Sequence, residues 1–105
     1  GVDVVVSALS GIRPVIVDAQ RALLAAAVAA GVPRFLPSDY SADYRRLTPG
    51  TNRNLELRRE FAADLDAAPI QATSVLNGMF TELLAGQAPM ILRDRKRVLF
   101  WSSAD

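Results

Sequence analysis

Gly1-Val2-Asp3-Val4-Val5-Val6-Ser7-Ala8-Leu9-Ser10-Gly11 opens the chain, and its reading decides the fold. Val2, Val4, Val5, Val6 and Ala8 form a near-continuous apolar run, the pattern of a strand covered on both faces. The run breaks into small residues, Ser7 to Gly11, and a long Ala-rich helical pattern follows. Strand, tight turn and helix in that order make a unit of parallel α/β sheet. In open sheets of this kind the ligand crevice lies at the carboxyl ends of the strands. Ser7, Ala8, Leu9 and Ser10 therefore stand where a ligand would approach the backbone.

Working outward, Pro14 suits a first helical turn, and Ile16, Ala19, Ala22, Leu23, Ala26, Ala27 and Ala30 recur at helical spacing. Gly31 stops this helix, with Pro33 just beyond. Arg34-Phe35-Leu36-Pro37 reads as a second strand, and Ser38 to Gly50 as a polar loop holding both tyrosines. A second helix is expected from about Asn52 to Ala68, burying Leu57, Phe61, Leu65 and Ala68 and ended by Pro69. Ile70 to Leu76 gives a third strand, Asn77-Gly78 a turn, and Met79 to Ala85 a short helix. A break at Gly86 to Pro89, an exposed charged turn at Arg93 to Arg97 and a last strand, Val98-Leu99-Phe100-Trp101, complete the pattern. No Gly-x-Gly-x-x-Gly turn occurs anywhere in the chain. The pattern suits a parallel α/β sheet of the dinucleotide-binding type, without the glycine turn that would identify one from its own residues.

Composition narrows the function classes. The 105 residues leave room for one domain or part of one, and 50% are hydrophobic, enough for a real core. Basic and acidic residues number 12 and 11, so bulk charge does not point to a nucleic-acid partner. Without Cys or His there is no thiol chemistry, no His-based triad and no ordinary zinc site. No apolar run approaches the ~18 residues of a membrane span, and no signal peptide is seen, so a cytoplasmic protein is the default expectation.

Four stretches, taken in order, resemble the NmrA-like family of atypical short-chain dehydrogenase/reductases, which includes the isoflavone-reductase group. They are Gly1 to Ala8, the passage from Gln20 through Ala30-Gly31-Val32-Pro33-Arg34-Phe35, Phe35-Leu36-Pro37-Ser38-Asp39-Tyr40, and Thr73-Ser74-Val75-Leu76-Asn77-Gly78-Met79-Phe80. The resemblance implies that the chain is the second half of a Rossmann-type parallel sheet, a fragment lacking the glycine-rich half, with NAD or NADP as cofactor of the full-length parent and a small-molecule substrate. It implies cofactor contact at Ser7, Ala8, Leu9, Ser10, Ser38, Asn77 and Gly78, with Met79 and Phe80 as a nicotinamide and substrate wall or as core packing. Ser38 lies where short-chain dehydrogenases place a catalytic Ser, although a Ser/Asp turn opening a loop explains the same residues.

The catalytic chemistry is less legible. Short-chain dehydrogenases use a Tyr followed four residues later by Lys, and here Tyr40 is followed by Tyr44 and Tyr44 by Thr48. The isoflavone-reductase group resembles a design with a helix Lys as proton-transfer residue, and Arg58 falls near that position. Arg stays protonated and is a poor shuttle. Arg58 is read as a solvated helix arginine beside Arg59 and Glu60, with an anchor for an anionic group as the other reading. The absence of both proton-transfer groups tilts the expected function from reduction of a carbonyl or enone towards redox sensing, with a non-catalytic regulatory module as the alternative. Arg93, Arg95, Lys96 and Arg97 read as a solvated turn. A strand from Val2 to Ala8 without its preceding neighbour is an edge open to self-association.

Overall fold

The computed structural model describes residues 1–78, 80–85 and 90–99. The readings placed on Met79, on the break at 86–89 and on Phe100-Trp101 lie outside the described residues. Three strands, β1 (Val4–Val6), β2 (Arg34–Leu36) and β3 (Gln71–Ala72), form a parallel sheet in the order β1-β2-β3. Helix α1 (Gln20–Ala29) links the first pair and α2 (Arg53–Ala67) the second. A short α3 (Thr81–Ala85) leads to an antiparallel hairpin of β4 (Ile91–Leu92) and β5 (Arg97–Val98). The parallel α/β architecture read from the opening stretch is thus the one observed.

The strands are shorter than the apolar pattern suggests, and the reason lies in the central one. Pro33 and Pro37 bracket β2. Pro37 has no N–H to continue a ladder. β1 pairs only through Val4 to Val6, with one further bond from Ser7 N–H to Leu36 C=O at 2.8 Å. β3 pairs at Gln71 and Ala72, and Thr73 N–H adds a bond to Phe35 C=O at 3.1 Å. Beyond that the expected strand to Leu76 makes no ladder pairing among the described residues.

Both helices pack on one face of the sheet. Leu24 and Ala27 of α1, Phe61 and Leu65 of α2, and Val32 and Phe35 of the sheet make the buried cluster, with Val5 and Ile70 against it. Phe35 is fully buried, and its ring lies 6.2 Å from that of Phe61 at an interplanar angle of 50°. The other face of the sheet is open: Val4 and Val6 are 41% and 64% exposed. This corrects the expectation of a strand covered on both faces. Two successive crossovers of the same hand bring both helices to one side, and among the described residues nothing covers the other.

Local chemistry explains where the helices end. The chain enters α1 through a π-helical segment, Pro14–Ala19. It leaves through a Schellman motif: Val32 N–H bonds Ala27 C=O and Gly31 N–H bonds Val28 C=O, each at 3.0 Å, with Gly31 at φ +69°. Asn52 caps α2, its Oδ1 accepting from Asn54 and Leu55 N–H at 3.0 and 3.1 Å. On the outer side Arg13 bonds Glu60 at 2.5 Å, and Arg21 bonds Asp64 at 2.7 Å and Glu60 at 3.2 Å, tying the two helices at the surface. The buried face of α2 is Leu55, Arg58, Phe61 and Leu65. Leu57 and Ala68, expected in that stripe, are half-buried. The stripe is rotated from the expected one, and Arg58 occupies one of its inward positions.

Replacing the cap tests this account. Asn52→Ala should lower unfolding free energy by about 1 kcal/mol, the usual cost of losing an N-cap. The shift in urea midpoint should come without a change in slope.

Candidate functional site

Three segments meet where the parallel strands end. The loop after β1 supplies Ser7 to Gly11, the loop after β2 supplies Ser38 to Ser41, and the segment after β3 supplies Asn77 and Gly78. Ser7 and Ser38 are 6% and 8% exposed. Ser38 Oγ donates to Leu9 C=O, which joins the first two loops. Its N–H donates to Gln20 Oε1 at 2.8 Å, which joins both to α1. Asn77 Oδ1 accepts from Ser41 N–H at 3.1 Å, and Gly78 N–H donates to Ser41 C=O at 3.0 Å. All the expected cofactor-contact positions therefore sit on a single edge of the sheet. Ser38 is bonded directly to Leu9, with Ser7 held to Leu36 just before them, and Asn77 and Gly78 are bonded to Ser41, three residues further along the Ser38 loop. Ala8 and Ser10 stay exposed beside Leu9.

Features of this edge suit a polar ligand. Ser7 Oγ is buried without a hydrogen-bond partner among the described residues, a donor and acceptor at the carboxyl end of β1. Gly11 has φ +155°, and a Cβ there would stand 3.1 Å from Val15 Cβ, so a larger residue in the turn into the helix would be strained and would press on Val15. Hydroxyls and a tight small-residue turn fit the ribose and amide groups of a dinucleotide.

Beside this edge lies a cluster that the sequence did not reveal. Arg58 is 6% exposed, not solvated. Its Nη1 donates to Asn54 Oδ1 and, at 3.2 Å, to Asn54 C=O. The guanidinium carbon lies 5.8 Å from the centre of the Tyr40 ring. Its Nε has no partner among the described residues. The reading of Arg58 as solvated is overturned by its burial, while its pairing along the helix is with Asn54 one turn back. Burial pulls the Arg58 pKa below the ordinary guanidinium value, with the Asp39 charge opposing. Asp39 in turn is pushed up from the ordinary 3.8 by burial, against hydrogen bonds from Ser74 and Tyr44 and the charge of Arg58. Its Oδ2 is buried without a partner among the described residues. Tyr44, 5% exposed, is held above 10.0, first by burial and then by the Asp39 charge. Arg59 Nη2 donates to the carbonyls of Tyr44 and, at 2.8 Å, Leu47, which pins the loop to α2.

Tyr40 also faces Phe80, ring centres 6.4 Å apart at 48°. Phe80 is 54% exposed, so it lies against Tyr40 at the surface rather than in the core. The only sequence signals for this cluster were the Asp39-Tyr40 pair after Ser38 and the inward register of position 58. The basic turn at 93–97 is far along the chain, and Asp94, Arg95, Lys96 and Arg97 are exposed.

No family model matches the chain. Bifunctional pinoresinol-lariciresinol reductase 3 of Thuja plicata is 33% identical over 116 aligned positions, which cover 99% of this chain and 37% of that protein. The solved structure of AtPrR2 with NADP+ and (+)pinoresinol matches with a TM-score of 0.67 and 34% identity, over 81% of this chain and 29% of that one. The chain is homologous to a stretch of the pinoresinol-lariciresinol reductases. It spans about a third of the length of these relatives. The relationship to the isoflavone-reductase group implied by the four sequence stretches is the one the comparisons find, and the Rossmann-type architecture agrees with it.

Asp39 yields a pH prediction. Its pKa is higher in the fold than the unfolded 3.8. The folded protein then holds more protons between those two values, and stability falls as pH rises through that window. Asp39→Asn should flatten this loss and leave thermal stability at neutral pH equal to or above that of the unsubstituted chain. Melting temperatures measured from pH 3.5 to 7 check it (about 3.9 being the ordinary Asp pKa).

Proposed function

We propose that this chain is a stretch of an NADP-dependent reductase, carrying the second half of its Rossmann domain, and that the substrate is a small molecule of the pinoresinol kind. The observation that carries the reading is the convergence of Ser7, Leu9, Ser38, Asn77 and Gly78 on one sheet edge, in a chain homologous to reductases. In this reading Ser7, Ala8, Leu9 and Ser10 receive the dinucleotide along the β1 loop. Ser38, Asn77 and Gly78 bound its nicotinamide end. The bound cofactor supplies hydride chemistry.

Homology to reductases supports catalysis over redox sensing, and the regulatory-module alternative is not favoured. Arg58 then holds a fixed positive charge behind Tyr40 rather than passing a proton, because a guanidinium stays protonated. NAD as the cofactor is less favoured than NADP, on the ligand of AtPrR2. A cytoplasmic setting belongs to the same reading. So does self-association of the chain by itself, since β1 is an edge of the sheet and Val2, Val4 and Val6 are 60%, 41% and 64% exposed.

Two measurements test this. Dinucleotide affinity needs backbone N–H groups of a glycine turn at a helix N-terminus, and this sequence has no such turn. NADP+ should therefore bind the chain only weakly, shifting the amide resonances of Ser7 to Ser10, Ser38, Asn77 and Gly78 at millimolar concentration. Tight binding would remove the half-domain assignment, and shifts confined to other regions would remove the site. In sedimentation the purified chain should associate or spread over several species. A stable monomer with one sharp thermal transition would count against the half-domain assignment.

A further inference from the structure

Gln20 is buried to 1% exposure, and it is the one polar residue among the largest fully buried side chains of the described residues, beside Phe35, Phe61, Ile16 and Val17. An apolar side chain of the same length would fill that volume without the cost of burying a carboxamide. What the carboxamide does is therefore informative. The main-chain N–H of Gln20 turns to Val17 C=O, three residues back, where the π-helical segment gives way to α1. The carbonyl four residues back, Ile16 C=O, receives Gln20 Nε2 instead, at 2.6 Å. The side chain thus supplies the donor that an α-helical backbone would have supplied, and so supports the irregular register. Its other arm, Oε1, accepts the Ser38 N–H at 2.8 Å. Ile16 C=O can only accept and Ser38 N–H can only donate, so the orientation of the amide is fixed. Ser38 passes the restraint on through Oγ to Leu9 C=O.

We propose that Gln20 is the positioning residue of this edge: one buried carboxamide sets the place of Ser38, and through Ser38 the loop after β1, relative to the start of α1. It does so without touching the ligand. The inference rests on the reading of the edge as a dinucleotide crevice. Its structural half, the hold on Ser38, is measurable with no ligand present.

The test is amide hydrogen exchange on the full chain, with Gln20→Met, which keeps length and removes both polar arms. Ser38 N–H should exchange roughly tenfold faster, as expected for loss of one buried hydrogen bond. The Leu24 amide within α1 reports global stability and should change less. In the same variant, millimolar NADP+ should shift Ser7 and Ser10 amides less than in the unsubstituted chain. Should the methionine variant not fold, Gln20→Asn, one methylene too short to span both partners, is read in its place with the same expectation. Ser38 protection that is unchanged, or that falls only in step with Leu24, overturns the proposal. So does an undiminished NADP+ response in a variant whose Ser38 protection is lost. If NADP+ shifts nothing in the unsubstituted chain, the crevice reading falls, and Ser38 exchange alone still decides the role of Gln20.

Discussion

The structure depends on the burial of Phe35. It sits mid-way along the central strand, with Val5 beside it on one neighbour and Ala72 on the other. The two helices close over it, α1 through Leu24 and Ala27 and α2 through Phe61 and Leu65. Burying a side chain of that size contributes about 1.5–3 kcal/mol from hydrophobic transfer. With strands of only two or three residues, backbone pairing contributes little beyond register. The helices are thus held by this shared apolar contact, and the surface ion pairs between them add a minor term.

The candidate site follows from the same shortness. Pro37 ends the central ladder, and the backbone groups of the next residues must find other partners. Side chains provide them: Gln20 for Ser38 N–H, Asn77 for Ser41 N–H, Arg59 for the carbonyls of Tyr44 and Leu47. A loop held at so many points presents Ser38, Asp39 and Tyr40 in a set arrangement at the sheet edge. The buried Arg58 belongs to this framework. Its charge is set against the face of Tyr40 and at longer range against Asp39, and it makes no ion pair with a carboxylate among the described residues.

Much of the fold was legible because the signals are local. Gly31 followed by Pro33 marks the end of α1 through backbone conformation alone, and Asn52 and Pro69 bracket α2 in the same way. The edge that gathers Ser7, Ser38 and Asn77 was legible too, since parallel strands send all their following loops to one side. Strand length was not legible. The apolar run Val2 to Ala8 and the stretch to Leu76 describe residues able to be strands, whereas pairing stops where the neighbour stops. Nor was the inner face of α2, where Leu57 and Leu55 are equally apolar and the choice between them lies in the angle at which the helix meets Phe35.

The sequence by itself therefore determined the order of the three parallel strands and the two helices between them, their helix stops, the parallel class and the kinship with isoflavone-reductase-like proteins, because each of these is written in spacing and in residues that constrain the backbone. Tertiary structure decided which side of each element is covered and which polar groups are brought together. Gln20 and Ser38 are 18 residues apart, and Arg58 and Tyr40 are also 18 apart. Their meeting is a consequence of how two helices settle on one aromatic ring, and no local pattern encodes it. An arginine on a helix reads as solvated until the packing of that helix turns it inward.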